Sequence, residues 1–251
     1  MNRLLILIFF VFLLVACQKS PVLDEPPSYP VSIRFSAVSD ASPLVYDQQY
    51  INAHGEPFSV SAFKYYIVDL TFRNKRDGVE RKLRLSDDHF LVDHQQGGNN
   101  LLQGSLPEGS YDRISFTLGV DSSRNYSGAQ TGALDPLHGM FWTWSTGYIM
   151  AKLEGNSPAA ATINNAFEYH IGGFSGMNNV TRRINLLLPQ PLENTASGAA
   201  YLPELVADVQ QWFSDKHNIR IADFPVVIMP GDMAVQFADN YAGMFSVKAG
   251  N

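Results

Sequence analysis

The sequence predicts a mainly β fold, an antiparallel β-sandwich with one or two short helices near the C-terminus. Three observations predict it. Short segments with an apolar residue at every second position recur along the chain, as expected for strands with one face in a core. The 16 Phe and 11 Tyr residues favour strands, which accommodate aromatic side chains well. Helical spacing appears only after these segments, so the strand–helix alternation of a Rossmann fold or an α/β barrel is absent.

The N-terminus, residues 1–16, is predicted to be a lipoprotein signal peptide. Arg3 precedes an apolar run, Leu4 to Ala16, that is too short to span a bilayer as a mature helix. The run ends in Leu-Val-Ala-Cys, which resembles the lipobox where bacterial lipoproteins are cleaved and acylated. The alternatives are an ordinary secretory signal that happens to contain cysteine and a retained anchor. Cys17 is the one cysteine of the chain, which excludes an internal disulfide. We therefore expect lipid on Cys17 to anchor the protein in the cell envelope, at the outer membrane or on its periplasmic face.

Residues 17–30 are predicted to be a tether, and residues 31–251 a single domain. The tether contains four prolines and few apolar residues, a composition typical of an extended spacer. The net charge is −6, and the chain has no run of five or more basic residues. This composition argues against nucleic acid as a partner.

Alternating segments predict the strands of the domain in order. Apolar side chains are expected to face the core at every second position, beginning with Val31, Ile33 and Phe35. The later alternating sets are Phe58/Val60/Ala62, Tyr66/Val68/Leu70/Phe72, Leu83/Leu85, Ile114/Phe116/Leu118, Phe167/Tyr169/Ile171 and Ile184/Leu186/Leu188. A long loop with several Gly, Ser and Asn residues separates Gly119 from Pro136.

Two helices are predicted after these strands. The first is indicated by apolar residues at helical spacing from Leu202 to Phe213, with Pro203 near its start and Trp212 in the core. The second is a short helix with Asp232 as its N-cap and with Met233 and Phe237 on one face.

Two tryptophans, Trp142 and Trp144, lie in the run Gly139–Tyr148, and two structural interpretations are open. In an unbroken strand they share a face with Tyr148 and Met150 that reaches solvent at Lys152. With a bulge at Thr146-Gly147, both tryptophans instead face the core with Ile149, Ala151 and Leu153. Met140 and Met150 are expected to be core residues.

No catalytic motif is present: the sequence has no G-x-S-x-G, no G-x-G-x-x-G, no Walker loop and no H-E-x-x-H. The six histidines form no dense pair of the kind that marks a zinc site. His170 lies opposite the apolar face of its strand, His138 just precedes the tryptophans, and His54 precedes the strand that begins near Phe58. These three are the candidate metal ligands, expected to meet at one end of the sandwich; the other three, His89, His94 and His217, are expected to be solvated. Asp121, Asn125 and Asp135 are a weaker candidate set for a hard cation such as Ca²⁺, because their spacing matches no EF-hand loop.

Several of these segments resemble the MbnP-like family. The resemblance lies in Arg113–Val120, in the run Gly139–Tyr148 with its F-W-x-W-x-x-G-Y pattern, in Tyr169-His170-Ile171-Gly172 and in the closing Ala238–Tyr241, and covers most of residues 31–247. It implies a β-sandwich outside the cytoplasm that binds copper through histidine. It also implies a dihaem cytochrome of the peroxidase type, MbnH-like, as a partner that oxidises a tryptophan to kynurenine. His170 matches the family's histidine before glycine, and Trp142 and Trp144 match its tryptophan pair; His54 and His138 are added from position alone. Members close to the namesake carry further cysteines, which this chain does not have.

Three functional hypotheses follow. The first is a lipid-anchored copper-binding protein without enzymatic activity, which serves copper acquisition or handling. The second is a non-catalytic envelope, adhesion or glycan-binding lipoprotein whose exposed aromatic side chains stack on sugars or on a partner. The third is a hydrolase without a recognisable motif.

Overall fold

The computed structural model describes residues 26–95, 100–142 and 147–250. Two of the residues singled out from the sequence, Cys17 and Trp144, lie outside these ranges, as do the whole predicted signal peptide and most of the predicted tether. Within the described ranges, no helix has the length and apolar content needed to cross a membrane.

Strands dominate the described chain. In order they are β1 (Ser28–Ser39), β2 (Ser42–Pro43), β3 (Tyr50–Ile51), β4 (Pro57–Asn74), β5 (Glu80–Lys82), β6 (His89–Asp93), β7 (Leu101–Pro107), β8 (Gly109–Leu118), β9 (Phe141–Trp142), β10 (Gly147–Asn156), β11 (Ala166–Gly172), β12 (Arg182–Thr195), β13 (Gly198–Ala199), β14 (Leu202–Asp208), β15 (Val226–Val227) and β16 (Phe245–Gly250). The α-helices are α1 (Ser122–Tyr126) and α2 (Asp232–Tyr241). Short 3₁₀ turns occupy Gly132–Leu134, Pro136–His138, Ile163–Asn165, Gly176–Asn178 and Val209–Trp212.

The strands form two sheets that pack face to face. The smaller sheet has the order β16-β14-β1-β2, and β7 also pairs with β1. The larger has the order β13-β12-β8-β4-β10-β11-β15; β3, β5 and β6 pair with β4, and β9 with β10. Most pairs are antiparallel, but β1 and β14 are parallel, as are β11 and β15. The mainly β sandwich predicted from the sequence is confirmed.

The core lies between the sheets and contains many aromatic side chains. Phe245 of the smaller sheet meets Phe116 and Tyr65 of the larger one, with ring centroids 5.1 and 5.4 Å apart. The alternation predicted for β8 and β11 is also confirmed, because Ile114, Phe116 and Leu118 and then Phe167, Tyr169 and Ile171 are all buried. Side chains of this size each contribute about 1.5–3 kcal/mol on full burial.

The first strand begins earlier than the sequence predicted. β1 starts at Ser28, and Pro30 lies opposite Ser105 of β7. The last three residues assigned to the tether are therefore part of the sheet. The sequence did not predict these residues as a strand, because proline lacks the N–H that a strand residue normally donates.

The helix predicted from Leu202 to Phe213 is wrong. Leu202–Asp208 is β14, which runs between β1 and β16, and only Val209–Trp212 turns, as 3₁₀. Leu205, Val206 and Ala207 are consecutively buried, so both faces of this strand are covered and its burial does not alternate. Such a run has no period of two and imitates a buried helix. Trp212 is a core residue as predicted, with no exposed surface.

The second predicted helix is confirmed as α2, although its cap differs. Gly231 is the N-cap residue and Asp232 is the first helical residue, where a carboxylate favours the positive end of the helix dipole. Phe237 of this helix packs on Tyr169 at a centroid distance of 4.4 Å. Phe213, the residue that follows the 3₁₀ turn Val209–Trp212, packs on Phe58 with ring centroids 4.9 Å apart. Together these segments cover the core-facing side of β4, β10 and β11.

Candidate functional site

The side of β4, β10 and β11 that faces away from the core carries an ordered row of polar side chains. Cross-strand register aligns Asp93 of β6 with Lys64 of β4, Lys64 with Lys152 of β10, and Lys152 with His170 of β11. Lys64, Lys152 and His170 each lie between two buried core residues, so their side chains point outward. Asp93 is itself buried and forms an ion pair with Lys64. We call this surface, together with Glu154, the outer face.

His170 is fixed on the outer face by a carboxylate. Its Nε2 lies 2.6 Å from Oε1 of Glu154, and the same oxygen is 3.3 Å from Nζ of Lys152. The hydrogen bond from His170, helped by the charge of Lys152 and opposed by partial burial, lowers the pKa of Glu154 to about 2. Because an ionised carboxylate can only accept, Nε2 carries the proton that is shared with Glu154. Among the described residues, none forms a hydrogen bond with Nδ1 of His170.

Trp142, the last residue of β9, packs against the strand that carries His170. A Cβ added to Gly172 would lie 2.5 Å from Cη2 and Cζ3 of Trp142, so the indole packs directly over that glycine. Gly172 and His170 are two residues apart in β11 and therefore share a face. The structure thus brings Trp142 and His170 together, with only 5% of the tryptophan surface exposed.

Neither sequence interpretation of the tryptophan segment describes its path. Trp142 ends β9, which pairs back antiparallel on β10 with Gly147 opposite Trp142. The residues between β9 and β10, which include Trp144, lie outside the described ranges. The extra residue in the register of β10 and β11 is Met150, between Ile149 and Ala151; Thr146, part of the predicted bulge, lies outside the described ranges. Met140 and Met150 are buried as predicted.

His138 lies in the loop above the outer face. Its backbone oxygen accepts a hydrogen bond from Nζ of Lys64 at 3.4 Å, and a Cβ on Gly139 would lie 3.9 Å from Nζ of Lys152. The loop therefore rests on the two lysines, one strand away from His170. The imidazole of His138 is exposed, and its Nε2 is 3.1 Å from the carbonyl oxygen of Gly132.

His54 does not belong to this site. Its Nε2 lies 3.0 Å from the carbonyl oxygen of Phe213, in the segment that covers the opposite, core-facing side of the sheet. Phe58, close to His54 in sequence, is six residues from Lys64 along β4, or about 20 Å at 3.3 Å per residue. The expectation that His54, His138 and His170 converge is therefore wrong. The position of His54 before a strand gave no indication that its side chain would bond to Phe213, which is distant in the sequence.

Two of the remaining histidines are not solvated, contrary to expectation. His89 is 5% exposed, and its Nε2 lies 3.1 Å from Oδ2 of Asp121. His94 stacks on Phe63 with ring centroids 5.0 Å apart and has Nε2 3.1 Å from the Tyr65 hydroxyl. Burial lowers the pKa of His94 to about 4. Both are structural residues of the described fold.

The oxygens proposed for a hard cation serve as caps and loop contacts. Asp121 accepts the backbone N–H of Arg124 at 3.0 Å and so caps α1, while Asp135 accepts that of Leu137 at 2.9 Å. The Asn125 side-chain oxygen accepts the N–H of Tyr148 at 2.9 Å. Within the described ranges, no group of three or more His, Cys, Asp or Glu side chains could hold a metal ion.

The outer face nonetheless offers donors suited to a soft ion. His138 and His170 supply imidazole nitrogens, the type of ligand that copper favours, and Trp142 supplies an aromatic neighbour. The charged side chains around them are balanced in pairs: Lys64 with Asp93 at 2.9 Å, and Lys152 with Glu154. The described residues are therefore compatible with a copper ion bound at His170, and His138 lies in the loop that contacts Lys64 of the same face.

Sequence reasoning did not assign a role to Lys64, Asp93, Lys152 or Glu154. The usable signal was the spacing of two between Lys152 and Glu154 on a strand adjacent to His170. Its interpretation required the register between β10 and β11, which the sequence does not provide.

Comparisons with known proteins agree with the fold. The model of the MbnP family matches residues 28–230, from the first residue of β1 through the whole outer face; α2 and β16 lie beyond it. Among solved structures, the chain is similar to MbnP from Methylosinus trichosporium, with a TM-score of 0.58 and 16% sequence identity. The alignment covers 90% of this chain and 100% of that one, and at this identity it shows a shared fold. No curated protein matches the chain by sequence.

Proposed function

The chain belongs to the MbnP family, and we propose that it is a lipid-anchored, extracytoplasmic copper-binding protein that serves copper acquisition or handling without a catalytic role of its own. The family resemblance supports the copper assignment. The Leu-Val-Ala-Cys sequence at residues 14–17 supports anchoring through Cys17. Replacing Cys17 with alanine should abolish labelling by an alkynyl palmitate and release the protein from the membrane fraction. Retention of both lipid and membrane association in that variant would contradict the anchor.

The observation that carries the proposal is the packing of Trp142 over Gly172, two residues from His170 on one strand face. An imidazole and an indole held side by side form a site at which the imidazole binds one soft ion and the indole ring is available for oxidation. Copper, when bound, would supply a Lewis-acidic centre for imidazole nitrogens. His170 binds it, the Lys152–Glu154 pair restrains His170, and the indole of Trp142 shields one side of the site from water.

The second part of the proposal concerns tryptophan oxidation. Trp142 and Trp144 are the candidates for conversion to kynurenine by a dihaem cytochrome partner, as the family resemblance implies. Conversion removes one carbon and adds one oxygen, so the intact mass of protein coexpressed with such a cytochrome should change by that difference. Peptide mapping would assign it to Trp142 or Trp144. An unchanged mass with an active, haem-loaded partner would refute this part.

Copper titration tests the metal site directly. The mature protein is titrated with Cu(I) and Cu(II) against a chelator of known affinity, and His170→Ala should bind at least about tenfold more weakly because the only strand-fixed imidazole of the site is lost. His217→Ala is the matched control, since His217 also has Nε2 near a carboxylate, Asp239, at 3.2 Å. Equal affinities of His170→Ala and the wild type would remove His170 from the site, and equal losses in both variants would indicate non-specific binding.

A second candidate function, glycan binding at the cell envelope, is favoured by one observation. A groove of about 280 Å³ at the far end of β4 and β10 is lined mainly by amide and other polar side chains, including Gln49, Asn156, Asn164 and Asn165. Amides donate to and accept from sugar hydroxyls. Trp142 cannot be the stacking platform, because it is buried. Binding to a glycan array that is lost in Asn164→Ala but retained in His170→Ala would support this function over copper binding.

A further inference from the structure

We propose that Glu154 is a positioning residue that holds His170 in its Nε2–H tautomer, so that Nδ1 is the nitrogen presented to the metal. This inference rests on the proposed copper site and deepens it. It predicts which atom of His170 is the ligand and which neighbouring residue decides it.

The hydrogen bond between the two side chains determines the tautomer. Nε2 of His170 and Oε1 of Glu154 are 2.6 Å apart, a short charge-assisted contact. The carboxylate has no proton to donate, so the proton of the bond belongs to Nε2. In neutral imidazole the other nitrogen then has a free lone pair, and a metal needs such a lone pair.

The strand layout turns that lone pair away from Glu154. On β11, Glu168, His170 and Gly172 follow one another along the outer face, and Glu154 of β10 lies opposite Glu168. Trp142 covers Gly172, on the other side of His170. The two nitrogens of an imidazole point in widely divergent directions, so holding Nε2 against Glu154 leaves Nδ1 facing away from that carboxylate.

Lys152 makes Glu154 a poor ligand and a good restraint. The Oε1 atom that receives Nε2 also lies 3.3 Å from Nζ of Lys152. Lys152 is 13% exposed at its side chain and stands directly opposite His170 in the register. An oxygen already engaged by two N–H donors has little capacity left for a metal, whereas its position is well fixed. Carboxylate–histidine pairs of this kind orient the imidazole and raise its basicity as a ligand.

The test begins on the metal-free mature protein. Long-range ¹H–¹⁵N correlation spectra of histidine side chains report which nitrogen is protonated, and His170→Gln identifies the resonance. We expect the Nε2–H tautomer in the wild type, its retention in Glu154→Gln, whose amide oxygen can still accept from Nε2, and its loss in Glu154→Ala. A wild type with Nδ1–H, or a Glu154→Ala variant with an unchanged tautomer, would overturn the inference.

Copper affinity supplies the second measurement. Glu154→Ala should weaken binding by about 10–100-fold, while Glu154→Gln should remain within about threefold of the wild type. Equal large losses in Glu154→Gln and Glu154→Ala would make Glu154 itself a ligand and refute its positioning role. Asp239→Ala, which removes the carboxylate beside His217, is the control and should leave the copper affinity unchanged. If the wild type binds no copper, the proposed function fails and the ligand assignment with it, whereas the tautomer spectra still decide whether Glu154 orients His170.

Discussion

Replacing Gly172 with alanine should separate Trp142 from His170 without touching either residue. Gly172 has no positive φ that alanine would resist, so the backbone can accept a side chain. The added Cβ would lie 2.5 Å from two ring carbons of Trp142 and 2.9 Å from the carbonyl oxygen of Tyr148. The obstacle is therefore contact on two sides and not backbone strain.

The size of the effect follows from these distances. Carbon atoms pack at about 3.5–4.0 Å, so the indole must move by about 1 Å or more. Forcing one extra methyl group into a packed site costs about 1–3 kcal/mol. For a domain of this size each 1 kcal/mol lowers the melting temperature by about 2–4 °C, so Gly172→Ala should melt about 2–12 °C lower than the wild type. Copper binding should weaken as well, because the indole is displaced from the imidazole.

Calorimetry, tryptophan emission and copper competition together check this expectation. Gly104→Ala is the control, since its Cβ would lie 2.7 Å from the carbonyl oxygen of Arg84, in β7 of the smaller sheet. It should destabilise by a similar amount while leaving the Trp142 environment and copper affinity unchanged. If Gly172→Ala melted with the wild type and kept its emission spectrum, the packing of Trp142 on Gly172 would be refuted.

Three further predictions concern buried polar groups of the scaffold. Burial alone would raise the pKa of Glu56, but hydrogen bonds from an asparagine side chain and from two backbone N–H groups of residues 221–222, at 2.8 and 3.0 Å, outweigh it and lower the pKa below its usual 4.5. The stabilisation is therefore complete above pH 4.5 and lost as the pH falls through the lowered value; Glu56→Gln should cost about 1–3 kcal/mol at pH 7 and progressively less in acid, measured by urea unfolding at several pH values. Asn240→Ala should cost about 3 kcal/mol in the same assay, because the Asn240 side chain bonds both the N–H and the carbonyl oxygen of His217 at 2.8 Å; a loss below about 1 kcal/mol would contradict this. Tyr111→Phe should cost about 1 kcal/mol, since the hydroxyl donates to the carbonyl oxygen of Pro107 at 2.7 Å, and an unchanged urea midpoint would show that this bond is not stabilising.

Periodicity predicted the strands in which apolar and polar residues alternate and failed at β14, where apolar residues are consecutive. β8 and β11 alternate clearly, because one side of each packs on the core and the other is polar. β14 lies between β1 and β16 and buries three consecutive residues, which removes the alternation. Neighbouring strands decide the secondary structure of such a segment, and a single sequence does not identify those neighbours.

The sequence named His170 and Trp142 as candidates, but it anticipated their geometry only in part. The structure relates them through Gly172 and through the antiparallel pairing of β9 with β10, which periodicity did not indicate. His54 was assigned by its position before a strand, but its partner, Phe213, is 159 residues away in the chain. Contacts over such separations depend on topology and cannot be read from local spacing.

A single extra residue in β10 explains why charged groups surround His170. If Met150 were paired with Ile171 in a regular ladder, Ala151 would lie opposite His170 and Lys152 would face the core. With Met150 as the extra residue, Lys152 stands opposite His170 and Ala151 faces inward with Ile171. Met150 is itself fully buried, and its sulfur lies 3.0 Å from the backbone nitrogen of Val120, so the insertion is anchored from the neighbouring loop. A bulge usually re-aims the side chains that follow it, and here those side chains are the lysine and the glutamate that hold the histidine.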